Sequence, residues 1–325
     1  MEANIIHRIV IAGAGLMGTS IAQIFAKNSY HVTMYDIEQR FLDRSLDLIR
    51  LNTATMQKEG SSEEEISRIR DNIHFAAPLD QTCFSCADLV IECIVEDLDI
   101  KTAFWKTVSE IAPAEAILTT NTSGLSINEI AKAVCLPERF CGMHWFNPAH
   151  LIPLIEVIKG EHTSHETMET VYQIAEQLGK KPIYVSRDAL GFIANRIQLA
   201  ILRECIHIKE EGIGDFKDID RCMKYGLGFR YACLGPFEVC DHGGLDTFYH
   251  IASYLYEDLA SNKSPDGTLL QTLFDSAEYG VKSGKGFYDY SNGLDREAVD
   301  IRDQMYIEMA KHNITSISEP YEKKL

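Results

Sequence analysis

The stretch Arg8-Ile9-Val10-Ile11-Ala12-Gly13-Ala14-Gly15-Leu16-Met17-Gly18 constrains this chain more than any other. A short apolar run leads straight into three glycines, and Leu16 to Asn28 continues at helical spacing. A second run, His31 to Tyr35, alternates and ends on Asp36. Strand, glycine turn, helix and strand make a βαβ unit, which commits the chain to parallel strands covered by helices. A bare GxGxxG is weak, but here strand, helix and closing acid stand where phosphate recognition needs them. Gly13 permits the tight turn, Gly15 lets a pyrophosphate approach the backbone, and Gly18 allows the helix to pack on the strand. The amides that open the helix at Leu16 and Met17 then face the anion. Asp36 is placed to accept hydrogen bonds from adenosine ribose hydroxyls and would repel a 2′-phosphate, so NAD is favoured over NADP even with Arg40 one turn away.

Further apolar runs follow at Leu89 to Ile94, Ala116 to Thr119, Phe140 to Trp145, Leu154 to Ile158 and Ile183 to Val185, with helical patterns such as Lys101 to Ile111 and Ser126 to Ala133 between them. This alternation predicts an α/β fold: a Rossmann-type, mostly parallel sheet domain over residues 1–186. After Ser186 the pattern turns helical, from Gly191 to Glu211 and finally Asp295 to Lys311, so residues 187–325 are expected to be an all-helical C-terminal domain. The acidic run Glu63-Glu64-Glu65 after Ser61-Ser62 marks a helix N-terminus. With 325 residues, two domains are the natural expectation.

Charge and cysteine content narrow the function. The 31 basic and 48 acidic residues leave a net charge of −17, a field that repels nucleic-acid backbones. No run approaches the length of a membrane span, and the first residues lack the basic start of a signal peptide. Nine scattered cysteines suit a reducing cytoplasm, and Cys83-x-x-Cys86 lacks the second pair that a metal site would need, so no metal is expected.

Three polar clusters end apolar runs, where open α/β sheets place ligands. They are Glu96, Asn121-Thr122-Ser123, and His144 within Gly142-Met143-His144-Trp145-Phe146-Asn147-Pro148. Glu156 lies in the apolar run Leu154-Ile155-Glu156-Val157-Ile158. A glutamate there is costly unless partnered, and the imidazole of His144 is the obvious partner. Taken singly, His144 could be a core histidine, Asn195 a helix cap and Ser123 a turn residue.

In order along the chain, the glycine loop, Val95-Glu96, Asn121-Thr122-Ser123, His144-Trp145-Phe146-Asn147-Pro148, Gly191-Phe192-Ile193-Ala194-Asn195-Arg196 and Gly284-Lys285-Gly286-Phe287-Tyr288 resemble the L-3-hydroxyacyl-CoA dehydrogenase family. The resemblance implies a Rossmann domain, a helical domain that forms a homodimer, and catalysis between them. It makes His144 the general base for a substrate 3-hydroxyl and Glu156 its orienting carboxylate. Ser123 and Asn195 would bind substrate oxygens, and Glu96, Lys101, Ser123, Asn147 and Lys282 match positions that contact the nicotinamide half of NAD.

One segment departs from the short hydroxyacyl-CoA enzymes. They usually carry Asn-x-Pro-Met-Gly-Pro where this chain reads Gly226-Leu227-Gly228-Phe229-Arg230-Tyr231-Ala232-Cys233-Leu234-Gly235-Pro236, which looks more like the lambda-crystallin/gulonate branch. Against that departure, Glu238, Asp241, Gly243, Gly244, Leu245 and Asp246 keep a hydroxyacyl-CoA-like pattern, so the resemblance implies a short-chain L-3-hydroxyacyl-CoA as substrate, with a free 3-hydroxy acid such as L-gulonate as the alternative and a non-catalytic, crystallin-like NAD binder as the rival of another class. Arg50, Lys58, Arg68 and Arg70 offer cations for coenzyme A phosphates, and Arg230 offers one for a free carboxylate.

Overall fold

A computed structural model describes residues 6–58 and 60–310, the side chains of Lys58 and Ala310 excepted. The predicted role of Lys58 lies outside what is described. The chain divides into two compact units, Met1–Arg196 and Ile197–Leu325.

The first unit runs β1 (Arg8–Ala12), α1 (Leu16–Lys27), β2 (His31–Tyr35), α2 (Gln39–Lys58), α3 (Glu63–Asn72), β3 (Ile73–Phe75), β4 (Leu89–Glu92), α4 (Leu98–Ile111), β5 (Ile117–Thr120), α5 (Ile127–Ala131), β6 (Phe140–Trp145), β7 (Leu154–Ile158), α6 (His165–Gln177) and β8 (Lys181–Val185). The sheet order is β3-β2-β1-β4-β5-β6-β7-β8. All neighbours are parallel except β6 and β7, whose connection is too short for a crossover helix and turns the chain straight back.

The sheet is buried on both faces because successive side chains alternate. Ile9 and Ile11 of β1 join one core cluster with Phe25, Leu42, Ile69 and Val171 from α1, α2, α3 and α6. Val10 and Ala12 point the other way, into a second cluster with Trp105, Val108 and Ile130 from α4 and α5. The helices start where the sequence supplies caps. Ser62, Asp97, Ser126 and Ser164 each accept an amide hydrogen bond at the head of α3, α4, α5 and α6.

Helical structure after the sheet begins later than the pattern from Gly191 suggested. Gly191 and Phe192 take left-handed φ angles of 75° and 50°, so the next helix, α7, spans Ala194–Glu210. Residues 187–196 fall within the first unit by contacts, beyond the sequence boundary at 186.

In the second unit α7 continues into α8 (Phe216–Cys222), a π-helical turn (Met223–Leu227), α9 (Gly228–Tyr231), α10 (Pro236–Gly243), α11 (Leu245–Leu255), α12 (Leu269–Asp275) and α13 (Leu294–Ala310). Isolated bridges at Gly280–Lys285 and Lys285–Asp289 are its only β pairing among the described residues. They shape the Gly284 to Tyr288 motif, whose Tyr288 hydroxyl donates to Asp220 at 2.8 Å and whose Phe287 packs edge-on against Phe216. No described helix is long and apolar enough to cross a membrane.

Candidate active site

At the head of α1 the backbone itself makes an anion cradle. Gly13 has φ 103°, its amide donates to the Tyr35 carbonyl at 2.8 Å, and an added Cβ would lie 2.5 Å from the Cys93 carbonyl oxygen. A Cβ on Gly18 would stand 1.9 Å from the Gly13 oxygen, so no side chain fits between loop and helix. Gly15 differs, since nothing of the protein lies within 4 Å of its Cβ position. Its freedom serves whatever approaches from outside. Leu16 and Met17 open α1, where amides have no intrahelical acceptor.

Asp36 sits just past β2 and accepts from Ala14 N–H and Ile37 N–H, each at 2.7 Å, so its carboxylate is locked beside the loop with lone pairs to spare. Arg40 is paired with Glu38 at 2.7 Å, which offsets the cation that could have welcomed a 2′-phosphate. The cradle and the carboxylate fit NAD.

The ends of β4 and β5 bring the next residues together. Glu92 is fully buried and holds Lys101 at 2.5 Å, the Thr120 hydroxyl at 2.8 Å and Ile94 N–H at 3.0 Å. Lys101 also lies 3.4 Å from Glu96. Glu96 accepts from the Thr122 hydroxyl at 2.6 Å and Ser123 N–H at 2.8 Å, while Asn121 accepts from Trp145 N–H at 2.8 Å. The Asn121-Thr122-Ser123 turn is thereby pinned between β4 and β6.

His144 and Glu156 face one another in the antiparallel register of β6 and β7. Both are buried, and Nδ1 of His144 stands 2.8 Å from Oε2 of Glu156. Oε1 of Glu156 accepts from Ile193 N–H at 3.0 Å and Ala194 N–H at 2.9 Å, at the start of α7. Burial pushes the Glu156 carboxyl upward, but the hydrogen bond from His144 and the two amides outweigh it and hold the group below the ordinary carboxylate range. With Nδ1 facing a carboxylate, Nε2 is left as the acceptor nitrogen. The α7 turn also sets Asn195, whose amide donates to the Ser123 carbonyl at 2.6 Å. One carboxylate thus fixes both the imidazole and the segment bearing Asn195.

Asn147 is exposed immediately beyond, at a cis peptide with Pro148. Lys282 and Arg230 belong to the second unit and are exposed. Lys282 lies in a turn with its ammonium 5.2 Å from the Tyr279 ring centre, and Arg230 is on α9. Arg50, Arg68 and Arg70 are paired with Asp47, Glu64 and Glu63 at 3.3, 2.5 and 3.6 Å. Arg50 and Arg70 also line a cavity of about 190 Å³ floored by Leu46, Ile49, Ile69 and Phe75. Among the described residues no cluster could hold a metal ion.

Sequence reasoning missed Glu92 and Lys180. Glu92 carried the same signal that revealed Glu156, an acid within an apolar strand. Lys180 gave none, because its partners are the carbonyls of Ala149 and Ile152, at 2.6 and 2.9 Å.

A dinucleotide cradle and a carboxylate-held imidazole on one doubly wound sheet define an NAD-dependent dehydrogenase. Comparison with known proteins refines that class. Residues 8–189 match the NAD binding domain of 3-hydroxyacyl-CoA dehydrogenase, and residues 191–290 match its C-terminal domain. The chain belongs to the 3-hydroxyacyl-CoA dehydrogenase family. It is 37% identical over 280 residues to a probable 3-hydroxybutyryl-CoA dehydrogenase of Deinococcus radiodurans, covering 86% of this chain and 99% of that one. It is 33% identical over 290 residues to 5-formyl-3-hydroxy-2-methylpyridine 4-carboxylate 5-dehydrogenase of Mesorhizobium japonicum, covering 88% and 91%. A crystal structure of an enzyme of that second activity, described as an NAD+ dependent dismutase, superposes with a TM-score of 0.86 at 29% identity, covering 94% and 98%.

Proposed function

We propose that the protein oxidises the 3-hydroxyl of a short-chain L-3-hydroxyacyl-CoA to the 3-ketone, reversibly, with His144 as general base. The observation that carries this reading is the buried His144–Glu156 pair, made by strand register and locked to α7. Bound NAD, held at the Gly13 to Gly18 loop and Asp36, supplies the acceptor for the hydride from C3. Nε2 of His144 takes the hydroxyl proton, and the Glu156 carboxylate stabilises the imidazolium that results. Ser123 and Asn195 hydrogen-bond the substrate oxygens, with Asn195 favoured by the positive end of α7. Glu96, Lys101, Asn147 and Lys282 serve the nicotinamide half. The relative named as a 3-hydroxybutyryl-CoA dehydrogenase supports the thioester. We place the enzyme in the cytoplasm, consistent with nine cysteines that are all free, and infer a homodimer.

A free hydroxy acid is the second reading, and one observation favours it. The arginines available for coenzyme A phosphates are each engaged by a neighbouring acid, which leaves that segment locally balanced, whereas Arg230 has no ion pair among the described residues. The relative named for a pyridine carboxylate, a free acid and no thioester, supports this reading too. Rates of NADH oxidation with acetoacetyl-CoA and of NAD reduction with L-gulonate decide between them. Turnover of the first and not the second is expected, and the reverse would transfer the assignment to the free acid.

A further inference from the structure

Away from the His144 pair, the first unit buries a second ionic group whose charges do not cancel. Glu92 and Lys101 are 0% and 1% exposed, and Glu96 supplies a second carboxylate to the one ammonium. The ammonium is not shared evenly, at 2.5 Å from Glu92 and 3.4 Å from Glu96. Glu92 cannot turn away, because its oxygens also hold Ile94 N–H and the Thr120 hydroxyl. The surplus negative charge therefore falls on Glu96, the exposed member, whose side chain is 44% accessible and whose direction is set by Thr122 and Ser123.

The place of this group in the sheet gives the charge a use. Glu92 is in register with Ala12 of β1, and Cys93 N–H donates to the Ala12 carbonyl at 2.7 Å, directly under the glycine loop. Between β1 and β4 the strand order reverses, the point at which open α/β sheets receive their ligands. A nicotinamide ring is cationic when oxidised and neutral when reduced, so a fixed negative charge beside it discriminates between the two forms.

We propose that Glu92 is a positioning residue which, by anchoring Lys101, keeps Glu96 a negatively charged wall of the cofactor cleft and so favours binding of NAD+ over NADH. This rests on the reading that Glu96 stands beside the nicotinamide half. With the Glu92 charge removed, Lys101 is free to neutralise Glu96, and the preference fades. Glu92 acts only through the cation it holds.

Equilibrium binding of NAD+ and of NADH to the whole protein tests the idea without recourse to turnover. Glu92→Gln keeps the shape and an acceptor oxygen for Ile94 N–H, with the contact to Thr120 reversed so that the new amide donates to the hydroxyl, and it should raise the Kd for NAD+ about three- to thirtyfold while moving that for NADH less than about twofold. Thr120→Val removes a Glu92 partner but no charge and should leave the ratio unchanged. Equal weakening of both forms by Glu92→Gln, with an unaltered melting temperature, would overturn the proposal. Glu96→Gln separates the two layers of the argument, since it should shift the ratio in the same direction. If it does not, the placement of Glu96 beside the nicotinamide fails and the proposal with it. If it does while Glu92→Gln leaves the ratio unmoved, only the role of Glu92 is overturned. Should Glu92→Gln not fold, Lys101→Gln decides: loss of the compensating cation must tighten NAD+ relative to NADH, and an unchanged or loosened ratio contradicts the scheme.

Discussion

The two units of the chain put their apolar residues in different places. In Met1–Arg196 both faces of the sheet are closed by helices, and Phe25, Phe84, Trp105 and Phe140 are wholly buried. In Ile197–Leu325 the buried apolar side chains among the described residues are Ile206, Val239 and Ala260, while Phe237, Tyr249 and Tyr254 are 86%, 71% and 70% exposed. A doubly covered sheet closes its own core, whereas short amphipathic helices need a shared layer to close upon. The first unit can therefore hold polar groups in fixed geometry, as it does at Glu92, His144 and Glu156. The second presents surface that suits association.

The largest effect expected from this contrast is on assembly. We expect a dimer with a Kd below about 1 μM, an association of about 8 kcal/mol, in which the second unit covers its aromatic side chains. Light scattering at micromolar concentration checks this, and a monomeric mass would remove the meaning given to the contrast. Phe237→Glu with Tyr249→Glu should lower the mass while leaving NAD binding by the first unit in place.

Next in size is the loss of the imidazole. His144→Gln should reduce kcat by roughly 10² to 10⁴ and leave NAD affinity nearly intact, because loop and chemistry are held by different strands. Glu156→Gln should also lower kcat, since an amide cannot stabilise the imidazolium that forms when the hydroxyl proton is taken. The double variant should fall well short of the summed losses, as the two act as one unit. Stability should change as well. A carboxyl held below its ordinary range stabilises the fold above that range, and the benefit is lost as pH falls through its lowered value. Acid unfolding of Glu156→Gln should accordingly lack that component.

Which of these features could be read in advance follows from how far apart the partners lie. The glycine loop was legible because strand, turn and helix are contiguous, and Glu156 because an acid between Ile155 and Val157 demands an explanation. Pairing with His144 needed only two adjacent strands. By contrast β3 is three residues long, too short to show periodicity. The late start of α7 depends on Phe192 accepting a left-handed angle, which no local pattern announces. Lys101 was noted for its position, yet its bond to Glu92 spans a strand end and a helix start, and only the fold brings them together.

A smaller effect is expected at the adenosine end. Asp36→Ala should weaken NAD about tenfold, by loss of the ribose acceptor and of the anchor for Ala14 N–H, and improve relative use of NADP. An unchanged cofactor preference would mean that the carboxylate serves the loop alone.

The smallest effect concerns Lys180, a cation that the first unit buries without an ion pair among the described residues. Its ammonium sits under the turn that follows Asn147, donating to Ala149 and Ile152 and lying 5.7 Å from the Trp145 ring centre. Burial pushes its pKa down to about 8. In the unfolded chain the group titrates near ~10.4. Below about pH 8 both states carry the proton and the fold bears the full cost of burying it. Between about 8 and ~10.4 the unfolded state binds more protons than the native one, so stability rises with pH across that window. The two carbonyls favour the charged form and reduce the effect, which should be about 1 kcal/mol. Urea unfolding of the wild type and of Lys180→Met at pH 7.5 and 9.5 isolates this contribution, and the wild type should gain on the variant at the higher pH. A difference that stays flat would show the ammonium to be fully compensated by the turn, and the first unit would then hold even its unpaired charge without penalty.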